Sequence, residues 1–526
     1  MLFNSIEFLI FLPIVFVIYW LLKGRLKWQN AFVVVASYFF YGWWDWRFLF
    51  LIAFTSLCSY LSGIWIGRNV NENENENEDE NINVDFNLND NLDVGDNEKI
   101  IASRDACVPN RDACVPKCSP SCLPKRRARR IAAANIVINL LILGVFKYYN
   151  FFVESFVALF PALNADHLLL NIILPVGISF YTFQALSYSI DVYRRKLEPT
   201  RDIVAFFAYV SFFPQLVAGP IERATSLLPQ FERNRTFDYA TAVDGLRQML
   251  WGFFKKMVVA DRCAVFVDSV WGDYASQSGS TLLMAAICFT LQIYGDFSGY
   301  SDIAIGTAKL FGIRLKRNFN VPYFSRDIAE FWRRWHISLT TWFRDYLYIP
   351  LGGSRVSKAK VVRNTFIIFL VSGLWHGANW TFVAWGAYHA LLFLPLILLG
   401  KNRRYTNIVA EGRMLPSLKE SAQMILTFVL AVFGWIIFRS ESIGQAWQFI
   451  ADIFRNGLLT VPQTPGLTLL FALVMFVVEW FNRSQEHGLV LNGIRQRWIR
   501  WSFYYALCFC IILFSNQSES FIYFQF

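Results

Sequence analysis

Histidine is scarce in this 526-residue chain: there are five, at positions 167, 336, 376, 389 and 487. Charge is scarce as well, at 17% of residues against 55% hydrophobic and 18% aromatic. The sequence has no G-x-x-x-x-G-K-[ST] phosphate loop and no G-x-G-x-x-G dinucleotide fingerprint, which excludes nucleotide chemistry by those two routes. It has neither H-E-x-x-H nor G-x-S-x-G, so a zincin-type metal site and a nucleophile-elbow hydrolase are excluded too. Among the nine cysteines no paired C-x2-C pattern occurs, and no metal site is expected.

Apolar and aromatic residues fill the space that charge leaves. Mean hydropathy is +0.36, and 19 Trp with 52 Phe exceed what one water-surrounded core needs. Such a composition suits lipid-facing helices and interfacial aromatic belts, so the chain reads as an all-α, polytopic integral membrane protein. The net charge of +10 is then topological. Lys and Arg beside apolar spans act as cytoplasmic anchors, and no nucleic-acid partner is expected.

Stretches long enough to span, or nearly so, lie at about 7–22, 31–45, 48–66, 131–146, 168–190, 202–220, 280–295, 364–399 (two helices), 421–438, 466–481 and 501–515. That gives about 11 transmembrane helices. Several are interrupted, as by "LPVGISFY" at 174–181 and "FFPQLVAGPIE" at 212–222. Pro and Gly at membrane depth are tolerated where the freed backbone is buried in protein or lines a cavity, so broken and re-entrant helices are expected. The first span follows Glu7 rather than a basic region and reads as a retained helix, not a signal peptide. Lys23, Arg25 and Lys27 after it place that loop in the cytoplasm, the N-terminus outside, and "YGWWDWRF" at 41–48 in an outer aromatic belt.

Three parts follow: N-terminal transmembrane helices at 1–66, an insert at 69–124, and a membrane core at 131–526. The insert opens with "NENENENEDENINVDFNLNDNLDVGDNE", which holds eleven acids and no base and cannot bury enough apolar surface to fold alone. It reads as a disordered cytoplasmic loop between Arg68 and the basic run at 125–130. A repeated heptad, "RDACVPN" then "RDACVPK", contributes to a group of four cysteines, Cys107, Cys114, Cys118 and Cys122; with no His nearby these are expected to be reduced thiols.

Chemistry concentrates between 291 and 389. His376 lies in "IIFLVSGLWHGANWTFVAWGAYHALLFL", between Gly373 and Gly377, and an ionisable group deep in an apolar run marks a functional site by default. The glycines would let the helix break there. Trp375 and Asn379, on either side of His376, join the candidate substrate-binding set. His389, in a smoother helix, reads as a structural histidine bonded between helices. His336 lies in "FWRRWHISLTTWFRDYLYIPLGGSR", whose aromatics recur at helical spacing among Arg333, Arg334 and Arg344. Asp296 and Asp302, in "LQIYGDFSGYSDIAIG", sit in another apolar run where Gly295 and Gly299 would allow local unwinding. A basic, aromatic-lined cavity beside a histidine would suit a phosphate-bearing substrate, with His as general base.

These stretches, with "ASYFFYGWW", "LPVGISFYTFQALSYSIDVYR" and "FFPQLVAGPIER", resemble the membrane-bound O-acyltransferase family. The closer likeness is to its bacterial branch, that of the alginate O-acetyltransferase membrane component. It covers nearly the whole chain apart from the 69–124 insert. The resemblance implies a helical bundle around a central tunnel, with His376 as the family's near-universal histidine and general base and His336 as its second active-site histidine. It implies acetyl-CoA as the donor, with no tightly bound cofactor. Transfer would run, often through a periplasmic SGNH-type partner, to an exported polysaccharide or cell-wall glycan, in a bacterial inner membrane. Arg333, Arg334 and Arg344 would meet the donor's phosphates, with Asp296 and Asp302 either orienting groups behind them or salt-bridge partners inside the bundle. D-alanyl transfer to an envelope polymer and a transporter are the alternatives; the latter predicts internal repeats, and none is found.

Overall fold

A computed structural model describes residues 1–85, 126–160, 168–217, 219–491, 493–514 and 521–522. His167, the cysteines of the insert and most of the insert itself lie outside them; the third helix, Phe48–Asp85, runs on past Arg68 into its first part. Every regular element among the described residues is a helix. Six are long and apolar enough to cross a membrane: Phe48–Asn69, Arg126–Leu159, Gly279–Leu310, Trp380–Leu398, Leu418–Arg439 and Arg497–Phe514. Shorter or broken helices take the other apolar stretches, including Ile6–Leu21 and Leu467–Phe481. The expected span at 202–220 splits at Phe212 into Ile203–Ser211 and Phe213–Leu216.

The central member is Gly279–Leu310, buried along nearly its whole length. It carries Gln292, Asp296, Ser298, Ser301 and Asp302, a polar set that a bundle interior can hold and lipid cannot. Gly295 and Gly299 do not unwind it, contrary to the expectation from sequence; the helix is continuous, and the glycines serve close packing. A Cβ at Gly299 would stand 2.8 Å from the Gly252 carbonyl oxygen, and one at Gly252 would stand 2.6 Å from that of Gly299. Helix Tyr239–Phe253 thus lies backbone to backbone against it, the small-residue contact by which helices associate without a hydrophobic drive.

The two aspartates of this helix are matched. Lys256 Nζ lies 2.6 Å from Asp261 and 2.9 Å from Asp296, and Asp296 also accepts from the Ile522 main-chain N–H at 2.7 Å. Lys255 Nζ lies 2.6 Å from Asp302 and 3.6 Å from Glu479. Both lysines belong to the π-helical segment Phe254–Ala260, which turns consecutive residues toward two different acid pairs.

The ends of the bundle can be told apart. Helices Ile6–Leu21 and Leu26–Gly42 form an antiparallel hairpin, with Phe11 stacked on Phe39. At the turn end Tyr19 and Trp20 donate to the main-chain oxygens of Phe311 and Leu310; at the other end Tyr41 donates to that of Val176. The close Gly252–Gly299 crossing generates a test. Gly299→Val has to push apart two backbones and should lower stability by about 1–3 kcal/mol or more, whereas Gly272→Ala, with nothing within 4 Å of its added carbon, should change little. Thermal unfolding of the purified variants in detergent measures both.

Candidate active site

Residues 331–355 do not form the continuous helix their spacing suggests. Helix Ile328–Arg334 stops, Trp335 and His336 leave the helical path, and helix Ile337–Phe343 begins anew. His336 takes the left-handed conformation, φ 43° and ψ 54°, which costs a non-glycine residue on the order of 1–3 kcal/mol. Loop 318–320 compensates the break: the Ile337 N–H donates to Asn318 O at 2.8 Å, and the Asn320 N–H to Arg334 O at 2.9 Å.

The Asn318 side chain fixes the His336 ring. Its Oδ1 accepts from the Ser338 hydroxyl at 2.8 Å and from the Ser338 main-chain N–H at 3.3 Å. A main-chain N–H can only donate, so the atom facing it is the oxygen and not the amide nitrogen. The same oxygen lies 3.1 Å from His336 Nδ1, which in the neutral ring therefore carries the proton and leaves Nε2 as the basic nitrogen. Phe297, edge-on at 4.6 Å, and Phe319, stacked at 6.3 Å, hold the ring from both sides.

His376 is the last residue of helix Lys358–His376. Gly377 is extended, and Asn379 starts the next helix, Trp380–Leu398, by accepting from the Thr381 N–H at 3.0 Å. The ring is buried edge-on between Trp385, at 5.2 Å, and Phe438, at 5.5 Å. His336 and His376 face one small cavity, together with Trp375, Leu339 and Lys147. Its remaining wall is Val217, Ile221 and residues 174–180, where helix Ile178–Tyr193 begins on Gly177 at φ 73°. Any Cβ at Gly177 would meet Leu216 O at 2.8 Å. Val176 places this cavity at the Tyr41 end of the bundle.

A second, small cleft is lined by Lys255, Asp302, Arg317, Glu479 and His487, and also by Asn318 and Phe319. Polar surface around Lys309 and Arg314 continues it toward the Leu310 end. Asn318 therefore borders one cleft while its oxygen holds a histidine of the other, and the two meet across a single hydrogen bond.

The structure brings His336, His376 and Trp375 together and leaves the other sequence candidates elsewhere. Arg333 donates to the main-chain oxygens of Asn402, at 2.7 Å, and Tyr405, at 2.6 Å. Arg334 pairs with Glu330 at 2.8 Å and is buried; Arg344 pairs with Asp345 at 2.6 Å and is exposed. Neither line of arginines borders the cavity, because each guanidinium satisfies a loop or a carboxylate of its own neighbourhood. Asn379 caps a helix and donates to Glu441 O at 2.9 Å. Asp296 neutralises Lys256, and Asp302 lies in the second cleft. His389 is buried, accepting from Trp332 Nε1 at 3.3 Å, and His487 bonds Asp244 at 3.0 Å. Sequence reasoning missed Asn318, which nothing in "RNFNVPYF" distinguishes, and Lys147, whose signal was a lone cation ending an apolar run.

Asn318→Ala would strip the acceptor from His336 and from both Ser338 donors. Each buried donor left unpaired costs on the order of 1–3 kcal/mol, so a clear fall in the thermal midpoint in detergent is expected; an unchanged midpoint would mean that water replaces the side chain.

Comparison with known proteins gives a consistent result. The profile of the MBOAT, membrane-bound O-acyltransferase family, matches residues 199–434, which include both cavity histidines. The chain is 37% identical over 459 residues to the protein named "Probable alginate O-acetylase AlgI" in Pseudomonas aeruginosa, covering 87% of this chain and 75% of that one. It is 28% identical to a peptidoglycan O-acetyltransferase of Helicobacter pylori, over 100% of this chain and 98% of the other. A teichoic acid D-alanyltransferase of Bacillus subtilis matches at 28% over 52% of this chain and 70% of its own length.

Proposed function

The chain belongs to the membrane-bound O-acyltransferase family, a multi-pass membrane acyltransferase, and from that premise we propose an O-acetyl transfer running through the two clefts. Acetyl-CoA delivers its acetyl group from the cytoplasm, at the Leu310 end, where Lys23, Arg25 and Lys27 sit in the adjoining turn. The acceptor hydroxyl approaches from the Tyr41 end, on the far side of a bacterial inner membrane. That hydroxyl belongs to an exported polysaccharide or cell-wall glycan, or to a periplasmic SGNH-type partner that passes the group on.

The observation carrying this reading is the meeting of two clefts from opposite ends at the Asn318–His336 hydrogen bond, with His376 on the acceptor side of it. In the reaction His376 removes the proton from the acceptor hydroxyl as its oxygen attacks the thioester carbonyl. His336 orients the donor, and the proton that His376 has taken returns to the leaving thiolate. One observation favours the reverse assignment: the bond to Asn318 presents His336 Nε2 as a base. Acetyl is preferred over D-alanyl because the acetyl-transferring relatives match over most or all of this chain, the D-alanyltransferase over half. The donor's phosphates meet Arg317 of the second cleft and Arg314 beyond it, in place of the arginines at 333, 334 and 344.

Transfer from labelled acetyl-CoA by the purified protein, with an SGNH-type partner or glycan present, tests the reading. His376→Ala of matched thermal stability should lose at least about a hundredfold in rate, the usual contribution of a positioned general base. Full activity in His376→Ala with loss in His336→Ala would reverse the roles. Full activity in both would make the histidines structural, and a silent wild type would overturn the donor or the acceptor.

A further inference from the structure

Two lysines, Lys255 and Lys256, are buried in the bundle interior and neutralised, and a third, Lys147, is half-buried at the cavity. Lys255 faces Asp302 and Glu479, and Lys256 faces Asp261 and Asp296. Lys147 is different. Its Nζ donates to the main-chain oxygens of Trp375, at 2.9 Å, and His376, at 3.0 Å, and no carboxylate among the described residues pairs with it. An ammonium has three N–H donors, so one remains beyond those two bonds. Lys147 also lines the cavity that holds His336 and His376. An uncompensated cation away from bulk water is costly.

The local backbone is built to put it there. The helix that starts at Arg126 changes to π geometry over Gly144–Tyr148 and returns to α at Tyr149. The extra residue in that turn directs both Lys147 and Tyr148 at the last turn of the His376 helix, where the Tyr148 hydroxyl donates to Leu374 O at 2.9 Å. Such π-turns recur at functional sites. Capping helix carbonyls needs no ammonium, since the Tyr148 hydroxyl does the same task without charge.

We propose that Lys147 is a catalytic residue, its ammonium anchored on two main-chain carbonyls and holding the negative charge that develops on the acyl carbonyl oxygen. The inference rests on the acetyl-transfer reading above. The acceptor oxygen bonds to the thioester carbon while its proton passes to a cavity histidine, and the carbonyl π pair moves onto oxygen, where the third Lys147 N–H receives it. Collapse restores the C=O, breaks the C–S bond and leaves acetylated acceptor, and the thiolate recovers the proton as the free thiol. A cation fixed beforehand at that oxygen needs no rearrangement when the charge appears.

Steady-state kinetics of Lys147→Met, Lys147→Gln, Lys147→Arg and Tyr148→Phe, with thermal midpoints and His376→Ala alongside, tests this. Loss of one oxyanion donor typically costs 10²–10³ in kcat, so the Met and Gln variants should fall by about that factor with donor KM within about threefold of wild type. Lys147→Arg should regain about tenfold or more, and Tyr148→Phe should stay within about threefold of wild type, because it loses a cap but no charge. Met or Gln variants that turn over like wild type would overturn the proposal, as would a loss confined to KM or an equal loss in Tyr148→Phe. If the Met variant aggregates, the Gln and Arg pair makes the same comparison. An inactive His376→Ala beside a fully active Lys147→Met would remove this inference and leave the base intact; a fully active His376→Ala would remove the base assignment instead.

Discussion

Asn318 is wholly buried, and its side-chain oxygen accepts from the His336 ring, the Ser338 hydroxyl and the Ser338 amide. Much of the architecture exists to satisfy those bonds. The helix through 328–343 breaks at Trp335 and His336, and His336 takes a left-handed backbone, because a continuous helix would not seat the ring on this oxygen. The amide nitrogen of Asn318 is tied at 3.2 Å to Ser301, so the ring is referenced to the central helix of the bundle. A neutral imidazole with an assigned proton follows from one main-chain N–H that can only donate.

The central helix in turn depends on small residues and matched charge. A 32-residue helix carrying two aspartates could not face lipid, and it does not: glycines admit a neighbouring backbone, and Lys255 and Lys256 neutralise the acids. Removing one member of such a pair leaves an uncompensated buried charge, which typically costs about 3–5 kcal/mol. Polar residues in this chain therefore divide into two kinds. Some are paired inside the bundle and build it, and others, such as His336 and His376, also line a cavity.

The sequence carried the first division less well than the second. Its composition and apolar stretches made the helical membrane class legible, and Gly373 and Gly377 pointed to a helix end at His376, where the helix indeed stops. Both cavity histidines were legible because an ionisable residue in an apolar run has few structural uses. The arginines at 333, 334 and 344 turn toward Asn402, Glu330 and Asp345 once the chain folds, a placement that closeness in sequence to a site does not announce. Gly295 and Gly299 misled: the same residue type loosens a lone helix and tightens a packed one. Asn318 and Lys147 were out of reach of pattern reading, since their roles come from a loop and a π-turn that no residue spacing announces.

The central claim is that acetyl enters through one cleft and leaves through the other. The measurement that tests it most directly is transfer by the protein in sealed liposomes of uniform orientation, with labelled acetyl-CoA on one face only and the acceptor on the other. The account predicts labelled acceptor when donor is supplied at the Leu310 face and none when donor is supplied at the Tyr41 face, with Asn318→Ala reducing the transfer. Label appearing only when donor and acceptor share one face would contradict it.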